Sequence, residues 1–380
     1  MSAEDFMRQV ALFQYHHHLA IVLVALLFTG YMAVGAGKIS MQGDIMKEMP
    51  TDLDPFKNEA KINGKFGGGS LLLIVVELEE GIDLANRPTD IRDPRIMEMF
   101  VKLQDSLVAE PTVDRVFSPG AYFANGVPKT LDGVKTVLAT IPGADGLFNK
   151  DYSLTLAYVY TNAGTGESEG KALISMLEDT LAGVSKPPGV TTTITGEIPM
   201  IQMILRIMWE DAVYTVSLAA LIILGLLIIL QRSIRKGILV FIPLLFGLTW
   251  TLGYLGHAGR PLSVATVGVG AMILGLGVEY GIFLVQRYME ILEGGGSQKE
   301  AIITAVPAVG TAILGSGTTT IVGFLALTTS FMPMMQNLGI TLAAGIASCL
   351  VAAVFINPAF IILEGRLRGL GDITNALNNK

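Results

Sequence analysis

One cysteine in 380 residues, Cys349, lies in an apolar segment, so neither an intrachain disulfide nor a cysteine metal cluster can hold this fold. Histidine is nearly as scarce. Three of the four, His16, His17 and His18, are consecutive, and on a helix their side chains fan outward instead of converging on one ion. A place at a membrane interface suits them better than metal ligation. Charge is sparse as well: 16% of residues are charged against 51% hydrophobic, with a mean hydropathy of +0.56. That balance excludes an ordinary soluble enzyme and indicates a membrane protein. A net charge of −7 excludes a broad basic surface for nucleic acid. No phosphate-binding P-loop is present, so ATP hydrolysis is not expected.

Long apolar runs are what the chain has instead. They cover residues 19–36, 212–230, 237–255, 262–286, 305–327 and 338–363, each long enough to cross a bilayer. The first run lacks a small-residue cleavage signature and is followed closely by a domain, so it reads as a retained span. Before it, Phe6, Val10 and Phe13 recur at helical spacing, which suits a short helix on the membrane surface. Basic residues fall on one side of the alternation. Arg8, then Arg232, Arg235 and Lys236, then Arg287 and Lys299, then Arg366, Arg368 and Lys380 share that side, and the opposite short loops offer Arg260. The positive-inside rule then predicts a multi-pass protein of the cytoplasmic (inner) membrane with both termini in the cytoplasm. Asn357-Pro358 predicts a kink in the last span. Residues 298–305, with 288–293 before them, read as an interfacial helix.

Residues 38–211 differ in composition, with 16 Lys+Arg against 25 Asp+Glu and turn-rich stretches such as KFGGGS and SKPPG. They predict an external α+β domain. SLLLIVVELEE reads as a strand, and DPRIMEMFVKLQDSLVAE as a helix with Asp93 as N-cap and Pro94 at the first helical position. TVDRVFSP reads as a short strand, 121–150 as an irregular insertion with one short helix, and SLTLAYVYTN as an alternating strand. ESEGKALISMLEDTLAGV is an amphipathic helix, and GVTTTITGEIP closes with a strand. Two β-α-β units in this order suggest a ferredoxin-like split βαβ fold, with Leu72, Ile74 and Val76 on one face of a four-stranded sheet. Residues 196–199, GEIP, mark the junction to the second span and a hinge for coupling.

The stretch PLSVATVGVGAMILGLGVEYGIFLVQ, residues 261–286, carries a single charge, Glu279. As one helix it is about 39 Å long and places Glu279 about 12 Å from the Arg287 end, inside the hydrocarbon slab. An ionisable group there costs on the order of 3 kcal/mol or more to insert, so it normally faces the protein interior and has a partner, either as a working site or as a structural polar contact between helices. A carboxylate moved out of water is disfavoured as the anion and readily takes up a proton, so this one can load and release it. Tyr280 follows directly and offers a phenol hydrogen bond. Gly277 and Gly281 remove bulk beside the pair and allow another helix close. On the fifth span Ser316, Thr318, Thr319 and Thr320 form a polar patch, which either serves Glu279 or satisfies carbonyls of its own helix.

Residues 275–327, GLGVEYGIFLVQRYMEILEGGGSQKEAIITAVPAVGTAILGSGTTTIVGFLAL, resemble the fourth and fifth transmembrane helices of the resistance-nodulation-division (RND) superfamily. The MmpL-like and hydrophobe/amphiphile exporters are its nearest branch. The resemblance implies a helical membrane protein of six spans, the second to sixth arranged like a sterol-sensing domain, with an external ferredoxin-like porter domain. The parts are an interfacial helix (1–18), a first span (19–37), the porter domain (38–211), spans two to six (212–364) and a cytoplasmic tail (365–380). It also implies that Glu279 and Tyr280 form a proton relay, supported by Ser316, Thr318, Thr319, Thr320, Gly277 and Gly281, though the MmpL-like branch usually has Asp in place of Glu279. The implied function is proton-driven export of hydrophobic or amphiphilic, lipid-like substrates, with the proton gradient as energy source and no cofactor. Members usually carry two such units, so a second copy of this chain is the expected partner, besides membrane lipids and the substrate. The two copies would meet at helix four, with Gly277 and Gly281 allowing close approach and Tyr280 of one copy donating to Glu279 of the other. A second reading is a non-transporting membrane sensor or a translocation auxiliary resembling the half-sized SecD and SecF components.

Overall fold

A computed structural model describes residues 3–43, 48–66, 70–79, 81, 86–162 and 166–367. Glu80, the glycines 67–69 and residues 368–380 fall outside them, and with the last group go most of the expected tail, Arg368 and Lys380. The chain forms two compact units, one of residues 1–50 with 207–380 and one of residues 51–206.

Helix α1 (Ala3–Ala36) opens the first unit and is broken by non-helical backbone at His17. His16 and His18 turn a ring nitrogen back onto the Leu12 and Tyr15 carbonyls around that break, at 2.8 and 3.1 Å. Strand β1 (Met41–Gln42) follows and belongs to the same unit.

The second unit contains α2 (Asp54–Phe66), β2 (Ser70–Leu78), α3 (Pro94–Val108), β3 (Val113–Phe117), α4 (Leu131–Ala139), β4 (Leu154–Thr161), α5 (Glu167–Gly183) and β5 (Val190–Gly196). Asp93 caps α3 by accepting from the Arg95 amide, and Pro94 takes the first helical position. The four strands form an antiparallel sheet in the order β3-β4-β2-β5. Strict alternation along β2 buries Leu72, Ile74 and Val76 completely, in one core with Ile96, Phe100 and Leu103 of α3 and Leu173 and Leu177 of α5. At φ +125° Gly196 ends β5; a Cβ there would sit 2.6 Å from the Leu71 carbonyl oxygen. Helix α2 was not expected from the sequence: its mean polarity hides it among turn residues.

Helix α6 (Glu197–Gln231) leads back to the first unit, followed by α7 (Ile234–His257), strand β6 (Leu262–Ser263), α8 (Val269–Glu293), α9 (Gln298–Ala326), α10 (Pro333–Val351) and α11 (Asn357–Leu367). Among the described residues six helices, counting α10 and α11 as one, are long and apolar enough to cross a membrane. Leu244, Ile273, Tyr280, Ile302 and Ile346 belong to the core they share.

Three boundaries differ from the sequence reading, each for a local reason. The fourth span starts at Val269, because Leu262 and Ser263 pair in parallel with Met41 and Gln42 and the Thr266 hydroxyl takes the Ser263 amide at 2.8 Å. Residues 298–305 are not an interfacial helix. Ser297 caps α9 by accepting from the Glu300 amide, and Gln298 is buried with its amide donating to the Ile362 carbonyl, so this turn belongs to the fifth span. In the sixth span the break lies just ahead of Asn357-Pro358, as a wide turn over Ala352–Ile356. Pro358 has no N–H to return to the preceding turn. Gln14 of α1 supplies the donor instead, its Nε2 bonding the Val354 and Phe355 carbonyls at 2.9 and 3.0 Å.

Candidate functional site

Glu279 sits ten residues into α8, about 15 Å from its start and about 21 Å from its end, deeper than a helix beginning at Pro261 implies. Its side chain is exposed on the surface of the unit, on a stripe with Met272, Leu276, Phe283 and Gln286. Those positions recur at intervals of three and four, so they share one helix face that the rest of the unit leaves uncovered.

Tyr280 points elsewhere. One residue on, about 100° around the helix, it is 1% exposed in the core. Its hydroxyl lies against Gly317 of α9, where a Cβ would stand 3.4 Å from the phenol oxygen and collide with the Leu350 side chain. Thr320, one turn on, donates to the Ser316 carbonyl at 3.0 Å. Thr319 also donates to the Ser316 carbonyl, at 2.7 Å, so two of the expected hydroxyls satisfy their own helix. Ser316, Thr318 and Thr319 are exposed. The contact of Tyr280 with Gly317 sets that turn of α9 at the depth of the Glu279–Tyr280 pair.

Gly277 and Gly281 are both buried, and helices of this same chain fill the space they leave. A Cβ on Gly277 would stand 2.9 Å from Cys349 Sγ of α10, and one on Gly281 would stand 2.5 Å from the Val240 carbonyl oxygen of α7. Close approach at these glycines is therefore spent within the chain, and they are not available to a second copy of α8. Nor is the Tyr280 hydroxyl placed to reach another copy's Glu279, since the side chain is buried in the core against Gly317. The sequence reading missed the role of Cys349, which packs into both Gly247 and Gly277; the small-residue positions were visible, but not which helix they receive.

Toward the start of α8 a cavity of about 310 Å³ opens between α6, α7 and α8, lined by Trp209, Val213, Val216, Leu255, Thr266 and Ile273. Its wall is mainly apolar.

Residues 90–377 match the model of the MMPL family. The chain belongs to the MMPL family. It is 34% identical over 368 residues to the membrane protein MJ1562 of Methanocaldococcus jannaschii, an alignment that covers 95% of each chain. It is similar to MmpL9 of Mycobacterium tuberculosis, named a probable transport protein, at 26% identity over 243 residues, 62% of this chain and 25% of that one. It is also similar to the siderophore exporter MmpL5 of Mycobacterium tuberculosis, at 24% identity over 228 residues, 59% of this chain and 24% of that one. This MMPL chain thus spans nearly all of the archaeal relative and about a quarter of each mycobacterial one. It is a multi-pass membrane protein.

Proposed function

We propose that this MMPL protein is an RND-type, proton-driven transporter that exports hydrophobic or amphiphilic, lipid-like substrates, a secondary active transporter rather than an enzyme. The observation that carries the reading is Glu279, one acid in the middle of an apolar helix. Its neighbour Tyr280 stands in the core against Gly317 of α9. The carboxyl takes up and releases the proton, and the phenol and the hydroxyls of α9 line the polar path beside it. Ser316, Thr318 and Thr319 add polar surface at the same depth. The proton gradient is the energy source, and no cofactor enters.

An exposed carboxylate on a helix facing lipid is costly, which supports a second copy of the chain covering the Glu279 stripe. In this reading the dimer contact uses Met272, Leu276 and Phe283, and further dimers can assemble on one another. The strand order β3-β4-β2-β5 supports a ferredoxin-like porter domain that lies outside the cytoplasmic membrane, with both termini inside. The cavity lined by Trp209 and Ile273 supports an amphiphilic substrate, since its wall is apolar with Thr266 as a polar contact. The names of the mycobacterial relatives support transport as the activity. Transport by Glu279→Gln at equal membrane abundance tests the assignment: loss is expected, and unchanged transport contradicts it.

A further inference from the structure

A groove of about 800 Å³ runs along α1, walled on its other side by the α10–α11 junction and floored by Trp250 of α7. It uses none of the residues of the Glu279 site. We propose that it is a binding site for one bilayer glycerolipid, with a tail lying along 20–28 and the headgroup at the His17 end.

Three observations carry this. The first is the distribution of polarity. Gln9, Gln14 and His17 lie at one end, and Ile21, Val24 and Phe28 continue the wall beyond them. From Gln9 to Phe28 is about 28 Å along the helix. The end with Gln9, Gln14 and His17, where Val10 and Phe13 also line the wall, takes about 12 Å, and the apolar part about 16 Å, close to the half of a hydrocarbon slab of about 30 Å that one lipid tail spans. An amphiphile with a polar end and an extended tail has the same order of parts, and a bilayer supplies it in excess.

The second is that the floor is built in advance. Trp250 donates from Nε1 to the Thr29 hydroxyl at 2.9 Å, and Thr29 donates to the Ala25 carbonyl at 2.7 Å. Phe28 meets the indole edge-on at 5.0 Å between ring centres. The indole cannot swing out to fill the groove without breaking these contacts, and Ala20 and Ala25 leave the space above it open.

The third lies at the polar end. Gln14 is 1% exposed, and its amide nitrogen is committed to the Val354 and Phe355 carbonyls. Its Oε1 is buried and has no hydrogen-bond partner among the described residues. Gln9 and His17, both exposed, are the groups at this end that a glycerol hydroxyl or ordered headgroup water can meet. The backbone break at His17 sets its ring beside Phe13, 4.8 Å between centroids, at the mouth of the same end.

The test uses the full chain with Trp209→Phe, which leaves Trp250 as the remaining tryptophan. The protein in detergent micelles is titrated with a phosphatidylglycerol carrying brominated tails, and quenching of Trp250 is followed. Single-site saturation is expected. Ala20→Phe with Val24→Phe, which fills the tail channel, is expected to weaken it about tenfold. Should the filled variant fail to fold, Gln9→Ala with His17→Ala at the exposed polar end is expected to weaken binding in the same direction. Quenching that rises linearly with the bromolipid fraction, unchanged in these variants, is ordinary annular contact and overturns the proposal. So does a Trp250 signal that no bromolipid alters.

Discussion

Glu279 and Tyr280 are neighbours in sequence and strangers in environment. The step of about 100° between them puts the carboxylate on the uncovered face and the phenol in the core, against Gly317. An acid within an apolar run was legible as costly, because that cost is a property of the residue and the run alone. Which way each side chain faces was not legible, since it depends on where α7, α9 and α10 pack. The same distinction holds for Thr319 and Thr320: their presence was readable, their commitment to the Ser316 carbonyl was not. Asp90, in the other unit, shows the residue scale outside the membrane. Burial pushes its carboxyl up, but bonds from the Arg92 side chain and amide and from Lys135 outweigh it and hold the group below the usual carboxylate range. A carboxyl depressed in the folded state adds stability that is full above the unfolded value of about 3.9 and is lost as pH falls through the folded one. Asp90→Asn is expected to weaken this unit by roughly 1 kcal/mol at neutral pH. Below about pH 4 the gap between variant and wild type closes. Hydrogen exchange of the β2 and α3 amides measures it, and a gap that does not change with pH contradicts the assignment.

Among the elements, the sixth span shows how a helix carries a proline inside a membrane. The wide turn over Ala352–Ile356 and Pro358 leave carbonyls at Val354 and Phe355, and Gln14 supplies the donor from another helix. Gln14→Leu keeps the bulk and removes that donor, so a loss of roughly 1 kcal/mol is expected. Pro358→Ala in the same chain restores a backbone N–H and is expected to recover part of it, a coupling that thermal unfolding of the four variants measures. Strictly additive effects rule the pairing out. That the sixth span departs from regular helix near Asn357-Pro358 was legible; the Gln14 partner, 344 positions away from Pro358, was not. Likewise the apolar, β-branched run of β2 and the Asp93-Pro94 cap announced their elements, because both are local signals. The start of α8 was misplaced for the opposite reason: Leu262 and Ser263 answer to Met41 and Gln42, a pairing no local pattern records.

At the scale of the whole molecule, the proposed dimer places the uncovered stripe of α8 between copies. Leu276→Cys and Phe283→Cys, each in a Cys349→Ala background, are expected to crosslink between copies in the membrane. Leu230→Cys on α6 is the control. Gly281→Cys is not expected to crosslink, since that position is buried against Val240. Crosslinks at the α6 control without any on α8 contradict the dimer.

If protons pass through Glu279, proton flux in liposomes depends on that one carboxyl. Purified chain is reconstituted at equal density as wild type and as Glu279→Gln, an acid gradient is imposed, and an internal pH dye is read. Proton entry with wild type is expected to fall to the protein-free leak with Glu279→Gln, while the variant keeps the wild-type unfolding temperature. Equal flux from the two proteins would contradict passage through Glu279.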